Sequence, residues 1–391
     1  MKQRIPDYYP DFHCIGSACK DNCCIGWEID IDPVAWEDYR SQPGAFGERL
    51  RTEIDTEGEP HFRLKEDERC PFLNEQNLCD IITTLGAGHL CQICDRHPRF
   101  YTWLSDCTEA GLGLCCEEAA RLILTHRTPV AFLEREAPMK GEQELPQQQP
   151  DQWENHLLAA RQRALMILQN RTLPIESRVL LLLQYGEELQ SCLEENLEQL
   201  PELFARWDAV QELHQPIKRP VLSTRQQKGA LAWYQQFAGL YQEFEINDPA
   251  WVTQLQEIQT RLPEILQHAV QGFVLSPEAA REEEQLLVYG VWRYFMKAIQ
   301  DHDALSKIHL VFSSWLMHRL LVLAQTEDCS CAQRLSFAVK YSKEIEYSEE
   351  NIDALLAASF GSSLFGQDAL RMALFAIMPA EAALSALTNS L

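Results

Sequence analysis

Fourteen cysteines lie in this 391-residue sequence, and eleven of them fall within the first 116 residues. In order they are Cys14, Cys19, Cys23, Cys24, Cys70, Cys79, Cys91, Cys94, Cys107, Cys115 and Cys116. Free thiols are reactive, so such crowding calls for a chemical partner: disulfide bonds, zinc or an iron–sulfur cluster. Cys14-x4-Cys19-x3-Cys23-Cys24 packs four thiols into eleven residues, with Gly16 allowing a tight turn. Thiolates that close together on a turn can converge on one metal or one cluster edge. The side chains of adjacent Cys23 and Cys24 diverge, however, and do not easily aim both sulfurs at one tetrahedral ion. A larger cluster, or a division between ligand and supporting thiol, fits better. Zinc sites usually pair two separated Cys-x2-Cys knuckles, and only Cys91-x2-Cys94 has that form. Zinc is therefore the runner-up.

The rest of the chain favours metal over disulfides. A sequence of 391 residues can build cores without staples, whereas disulfides are densest in small secreted domains. Residues 1–12 contain no apolar signal region, and no run of eighteen apolar residues occurs. The expectation is a reducing, cytoplasmic compartment and no membrane span. A formal net charge of −24 argues against a nucleic-acid partner and favours a cationic one, exposed lysines on another protein included. The cysteine spacing departs from the Cys-x3-Cys-x2-Cys loop of radical S-adenosylmethionine enzymes. Gly86-Ala87-Gly88 and Gly111-Leu112-Gly113 are both Gly-x-Gly, yet neither follows a recognisable buried strand, so a Rossmann-like fold is not expected. Phosphate-binding Gly-x4-Gly-Lys-Ser/Thr and zinc-binding His-Glu-x2-His motifs are absent from the sequence. Cys192 reads as a small buried hydrophobe, and Cys329 and Cys331 remain unassigned.

The elements that must position these residues read as mainly α: a loop-rich cysteine domain followed by helical domains. Residues 1–135 form the cysteine-rich region, and 136–152 are a Pro- and Gln-rich linker or exposed loop. Helical domains follow at 153–225 and 226–391, where Leu, Ala, Glu and Gln recur with helical spacing; the second is expected to complete the active site. A break is expected within 214–228, with helices resuming at Leu231. Asp32-Pro33 and Ser276-Pro277 are helix starts, and Ser348 is a good N-cap. Strand signals are few: Trp27, Ile29 and Ile31 alternate with Glu28 and Asp30, giving at most one short extended segment.

The stretch Phe12-x-Cys14-Ile15-Gly16-Ser17-Ala18-Cys19-Lys20-Asp21-Asn22-Cys23-Cys24-Ile25-Gly26-Trp27 resembles the opening of the flagellin lysine-N-methylase family. That family is a branch of the group named for a Cys-x2-Cys-x2-Cys-Cys motif, whose members are described as zinc- or iron-chelating. Cys70-Pro71-Phe72-Leu73 with Cys79, and Cys91-x2-Cys94-Asp95-Arg96-His97-Pro98-Arg99, match later blocks of the group, while 341–351 looks like a C-terminal block of the methylases. The resemblance implies methyl transfer from S-adenosylmethionine to lysine ε-amines of flagellin, with a 4Fe-4S cluster. It makes Cys14, Cys19, Cys23, Cys24, Cys70, Cys79 and Cys94 the ligand pool, of which four bind the cluster. Cys91 is a reserve, and Cys107, Cys115 and Cys116 are packing or supporting thiols. Trp27, Tyr101 and Trp103 would wall a pocket for a sulfonium and a lysine stem, and Arg96 or Arg99 would pair with the cofactor carboxylate. No residue is assigned a catalytic role. The alternative is a non-enzymatic protein that carries a cluster or holds zinc, with helices that bind a client.

Overall fold

The computed structural model describes residues 2–20, 22–26, 28–136, 149–212, 215–246, 248–271, 273–325 and 329–379. Trp27 and most of the expected linker, 137–148, lie outside them. The described chain is mainly helical, as the sequence implied, but it also contains a four-stranded sheet that sequence reading missed. Its strands are β1 (Lys2–Pro6), β4 (Arg99–Trp103), β5 (Thr108–Leu112) and β6 (Phe132–Glu136); the short β2 (Ile54–Asp55) and β3 (His61–Phe62) pair separately. The order is β4-β5-β1-β6, with β1 and β5 parallel and the other neighbours antiparallel. This is no doubly wound sheet. The expectation that neither Gly-x-Gly follows a buried strand is corrected, because β5 is buried at every position and contains Gly111. Glycine is required there: a Cβ would lie 2.2 Å from the Phe100 ring on β4.

Burial on both faces explains why β5 escaped notice, since Thr108-Glu109-Ala110-Gly111-Leu112 shows no apolar alternation. The buried Glu109 is tolerated because Arg161, on the helix Gln152–Leu168, grips it with both terminal nitrogens at 2.5 Å, and Arg4 adds a contact at 2.9 Å. Trp292, on the helix Pro277–Tyr294, stacks on Phe132 at 4.2 Å, and its indole N–H donates to the Ala110 carbonyl. One apolar core therefore runs from the sheet into the helices. A second, smaller core of Ile31, Tyr39, Leu50, Phe62, Phe72 and Leu73 surrounds Cys70 and Cys91.

The helix Pro277–Tyr294 organises the helical part through three consecutive buried carboxylates. Each step along a helix turns about 100°, so neighbours face different partners. Glu282 meets Arg334, Glu283 meets Arg319, and Glu284 meets Arg171 and Arg178. Local start signals were read correctly: Asp32 accepts from the Ala35 N–H, Ser276 from Ala279 and Ser348 from Asn351. The break expected within 214–228 is shorter than that, because Ser223 and Gln226 form a capping box that starts a helix at Thr224. The extended segment expected around Ile29 and Ile31 pairs with residues 60–62 by isolated bonds, the Ile31 N–H to Pro60 and the Phe62 N–H to Ile29.

Candidate functional site

Short local structures gather the thiols. The Cys70 N–H donates to the Cys24 carbonyl at 2.8 Å, beside a bridge between Ile25 and Arg69, which joins cysteines far apart in sequence. Leu73 bridges Cys79, and Cys79 and Cys91 each stand at the N-terminal cap of a short helix, Asp80–Leu85 and Gln92–Arg96. As a result Cys24, Cys70, Cys79, Cys91 and Cys94 lie within one another's electrostatic field. Backbone N–H groups point at three of these sulfurs: Phe72 and Leu73 at Cys70, Ile82 and Ile81 at Cys79, Cys94 and Ile93 at Cys91. Such bonds favour the thiolate, which is the form that binds metal.

Burial and mutual repulsion oppose ionisation. Burial pushes the Cys70 thiol up to about 11 and raises Cys79. The hydrogen bond between Cys91 and Cys94 lowers the first and raises the second, whose burial and thiol neighbours add to the rise. Five crowded thiols that cannot all ionise alone would do so around a soft cation, and the donor set fits an iron–sulfur cluster or zinc. Among the described residues, no three His, Cys, Asp or Glu side chains are drawn together around one ion-sized position.

The expected pool is thus divided. Cys24, Cys70, Cys79 and Cys94 come together, and Cys91, held in reserve, is buried beside them. Cys23 adjoins that group through a hydrogen bond with the Cys24 thiol, which comes first among the influences that lower its pKa, ahead of a hydrogen bond with His97 and the charge of Lys343. Cys14 and Cys23 also act electrostatically on Cys116, and Cys19 closes the turn Gly16–Ala18. Arg96 and Arg99 bracket one side of β4. Arg96 lies over Tyr101 at 5.6 Å, Arg99 over Phe12 at 5.1 Å and Tyr9 at 5.9 Å, and Tyr101 contacts Trp103 at 6.2 Å. Alternate strand residues share a face, so Arg99, Tyr101 and Trp103 project together, with Trp103 exposed at the strand end.

Sequence reading missed a buried polar junction next to these residues. Arg293 sits among the rings of Phe100, Tyr289, Tyr294 and Tyr347, at 5.1, 5.9, 5.4 and 5.2 Å, and 3.7 Å from the Glu346 carboxylate. Burial would lower its pKa, but the surrounding tyrosines and Glu346 raise it well above the ordinary value. Glu346 accepts from Tyr289 at 2.8 Å and from Ser342. Residues Ser342–Glu346 form a π-helical turn, a feature frequent at functional sites. The charge of Lys343, on that turn, acts on Cys23, and Tyr347 after it hydrogen-bonds the buried Cys115 thiol, which burial pushes up to about 12. Gly113 permits the contact, since a Cβ there would meet the Tyr347 hydroxyl at 2.5 Å. The family-like block 341–351 was the available signal; Arg293 and Tyr289 carried none beyond a charge in the apolar second half of their helix.

The model of the FliB lysine N-methylase C-terminal domain matches residues 161–365, just over half of the sequence. The lysine-N-methylases of Salmonella choleraesuis and Salmonella typhimurium are each 29% identical over 144 residues, 33% of this chain and 34% of the relative. The flagellar biosynthetic protein FliU of Salmonella muenchen is 29% identical over 139 residues, 34% of this chain and 82% of that protein. The match thus spans about a third of the length of the two curated methylases. No solved structure matches. No helix among the described residues is long and apolar enough to cross a membrane.

Proposed function

The chain belongs to the FliB lysine N-methylase family, and from that premise we propose that it is a protein-lysine N-methyltransferase that uses S-adenosylmethionine and acts on flagellin in the bacterial cytoplasm. The observation that carries the reading is a juxtaposition. The block 341–351, wholly inside the family-matched region, meets the cysteine segment through Tyr347 and Cys115, with the charge of Lys343 acting on Cys23. The organisation that goes with it is a cysteine-rich region at 1–135, a linker at 136–152, and helical domains at 153–225 and 226–391.

Cys24, Cys70, Cys79 and Cys94 would hold a 4Fe-4S cluster, with Cys91 able to replace one of them and Cys14, Cys19 and Cys23 supplying thiols behind. When bound, a cluster held by only three of these five thiolates would supply a Lewis-acidic anchor for the amino and carboxylate groups of the cofactor. The chain's own residues do the rest. Arg96 and Arg99 would pair with the cofactor carboxylate, and Tyr101 would face the sulfonium. The hydrogen bond from Tyr347 and the rings around Arg293 would hold the Cys115 segment in place. The neutral ε-amine attacks the methyl carbon, the methyl–sulfur bond breaks, S-adenosylhomocysteine leaves and the amine sheds one proton to water.

Anaerobically reconstituted protein, with iron and sulfide measured, should add methyl units to flagellin lysines in the presence of S-adenosylmethionine, read by mass spectrometry. An intact cluster without any methyl shift would overturn the reading and leave a cluster carrier. Zinc in place of iron would leave a structural metal module.

A further inference from the structure

A cleft of about 720 Å³ opens on the helical part, away from the thiols. Its volume falls within the roughly 300–1,000 Å³ of small-molecule sites. The helix Glu117–Leu124 separates it from Cys116; eight residues at about 1.5 Å each make about 12 Å. Leu124, Phe273, Leu275 and Val322 give it an apolar wall. Among the described residues, Arg127, Arg281 and Arg334 line it against two carboxylates, Glu278 and Glu282. A cationic excess there runs against a chain whose formal net charge is −24. Glu282 and Glu278 are each bound to a lining arginine, Arg334 and Arg281, so neither presents an unneutralised charge to the cleft. The helices Pro277–Tyr294 and Cys331–Tyr341 both begin at its edge, adding the positive ends of their dipoles to the arginines. Cys329 and Cys331 line the same space and have no part in the thiol group around Cys70.

We propose that this cleft binds a small amphipathic organic anion, with an apolar body against Phe273 and Val322 and a phosphate or carboxylate directed at Arg127. The apolar wall disfavours a bare inorganic ion, and the arginines disfavour a neutral hydrocarbon. Binding is independent of methyl transfer, so it stands or falls separately from that activity.

Cys329 and Cys331 serve as built-in reporters. The full chain is alkylated with iodoacetamide while adenosine monophosphate or decanoate is titrated, and modification at each cysteine is followed by peptide mass spectrometry. Cys192, half-exposed on the helix Ile175–Glu195, is the internal control. The expected result is saturable slowing at Cys329 and Cys331, about tenfold at ten times the dissociation constant, with Cys192 unchanged. Protection by the nucleotide identifies a phosphate ligand, by decanoate an acyl carboxylate, and by both the shared chemistry. Val274→Trp, at a partly exposed lining position, and Arg127→Glu should each abolish protection. Absence of protection by either compound at millimolar concentration, equal slowing at Cys192, or protection that survives both substitutions would overturn the proposal.

Discussion

Replacing Glu109 by alanine should cost the folded protein about 4 kcal/mol, within the roughly 3–5 kcal/mol for breaking a buried ion pair from one side. Glu109 has 2% of its side chain exposed and Arg161 has 5%, so water cannot take over either charge. The substitution leaves the Arg161 guanidinium sandwiched against Trp292, 4.5 Å from the ring, which recovers only a small part of the loss. Arg4 adds little to the cost, because it is 21% exposed and keeps Glu134. Replacing both partners, as Glu109→Leu with Arg161→Met, removes the stranded charge and should restore most of the stability. Urea unfolding followed by circular dichroism gives the three free energies. A loss below about 1 kcal/mol for Glu109→Ala, the range of an exposed pair, would refute the reasoning. So would a double variant no more stable than the single one. The pair matters for function because β5 runs from Glu109 directly to Gly113 and the thiols Cys115 and Cys116.

Other consequences are as specific. Burial holds His309 down at about 4, so its neutral form stabilises the fold fully above the unfolded value near 6.5. As pH falls from about 6.5 to 4 the unfolded chain binds the proton first, and roughly 3 kcal/mol is lost; His309→Gln should flatten that part of the stability–pH curve. Gly113→Ala drives a Cβ to 2.5 Å from the Tyr347 hydroxyl, and overpacking of this kind costs about 1–3 kcal/mol, visible as a lower melting temperature together with slower methyl transfer. Serine at Cys24, Cys70, Cys79 or Cys94 should each lower iron per chain after reconstitution, whereas Cys107→Ser, whose thiol lies beside Arg4 and Asp106, should not; equal iron in all five would remove the proposed ligand set.

What was legible in the sequence was local. The caps Asp32, Ser276 and Ser348 bond an N–H three residues away, so residue type and spacing suffice. The sheet required pairings such as Gln3 with Arg135 and with Thr108, across more than a hundred residues, and its central strand shows no alternation because both faces are buried. Cysteine types and blocks gave a pool of seven, Cys14, Cys19, Cys23, Cys24, Cys70, Cys79 and Cys94, with no choice among them. They could not show how that pool divides, with Cys91 beside Cys24, Cys70, Cys79 and Cys94, and Cys23 linking Cys24 to His97. That division depends on the Cys24–Cys70 backbone bond and on the helix that starts after Cys91. The Arg293 junction was hidden for a different reason: its rings come from β4, from two helical turns near the end of Pro277–Tyr294 and from the segment after Glu346.

The central claim is that the thiol group and the block carrying Tyr347 together make one methyl-transferring site. The most direct measurement is transfer of an isotopically labelled methyl group from S-adenosylmethionine to flagellin lysine by iron-loaded wild type, Cys79→Ser and Arg293→Met. The account predicts label on lysine with wild type and its loss in both variants, with Arg293→Met retaining its iron. Label carried equally by all three, or by none while iron and sulfide are intact, would contradict it.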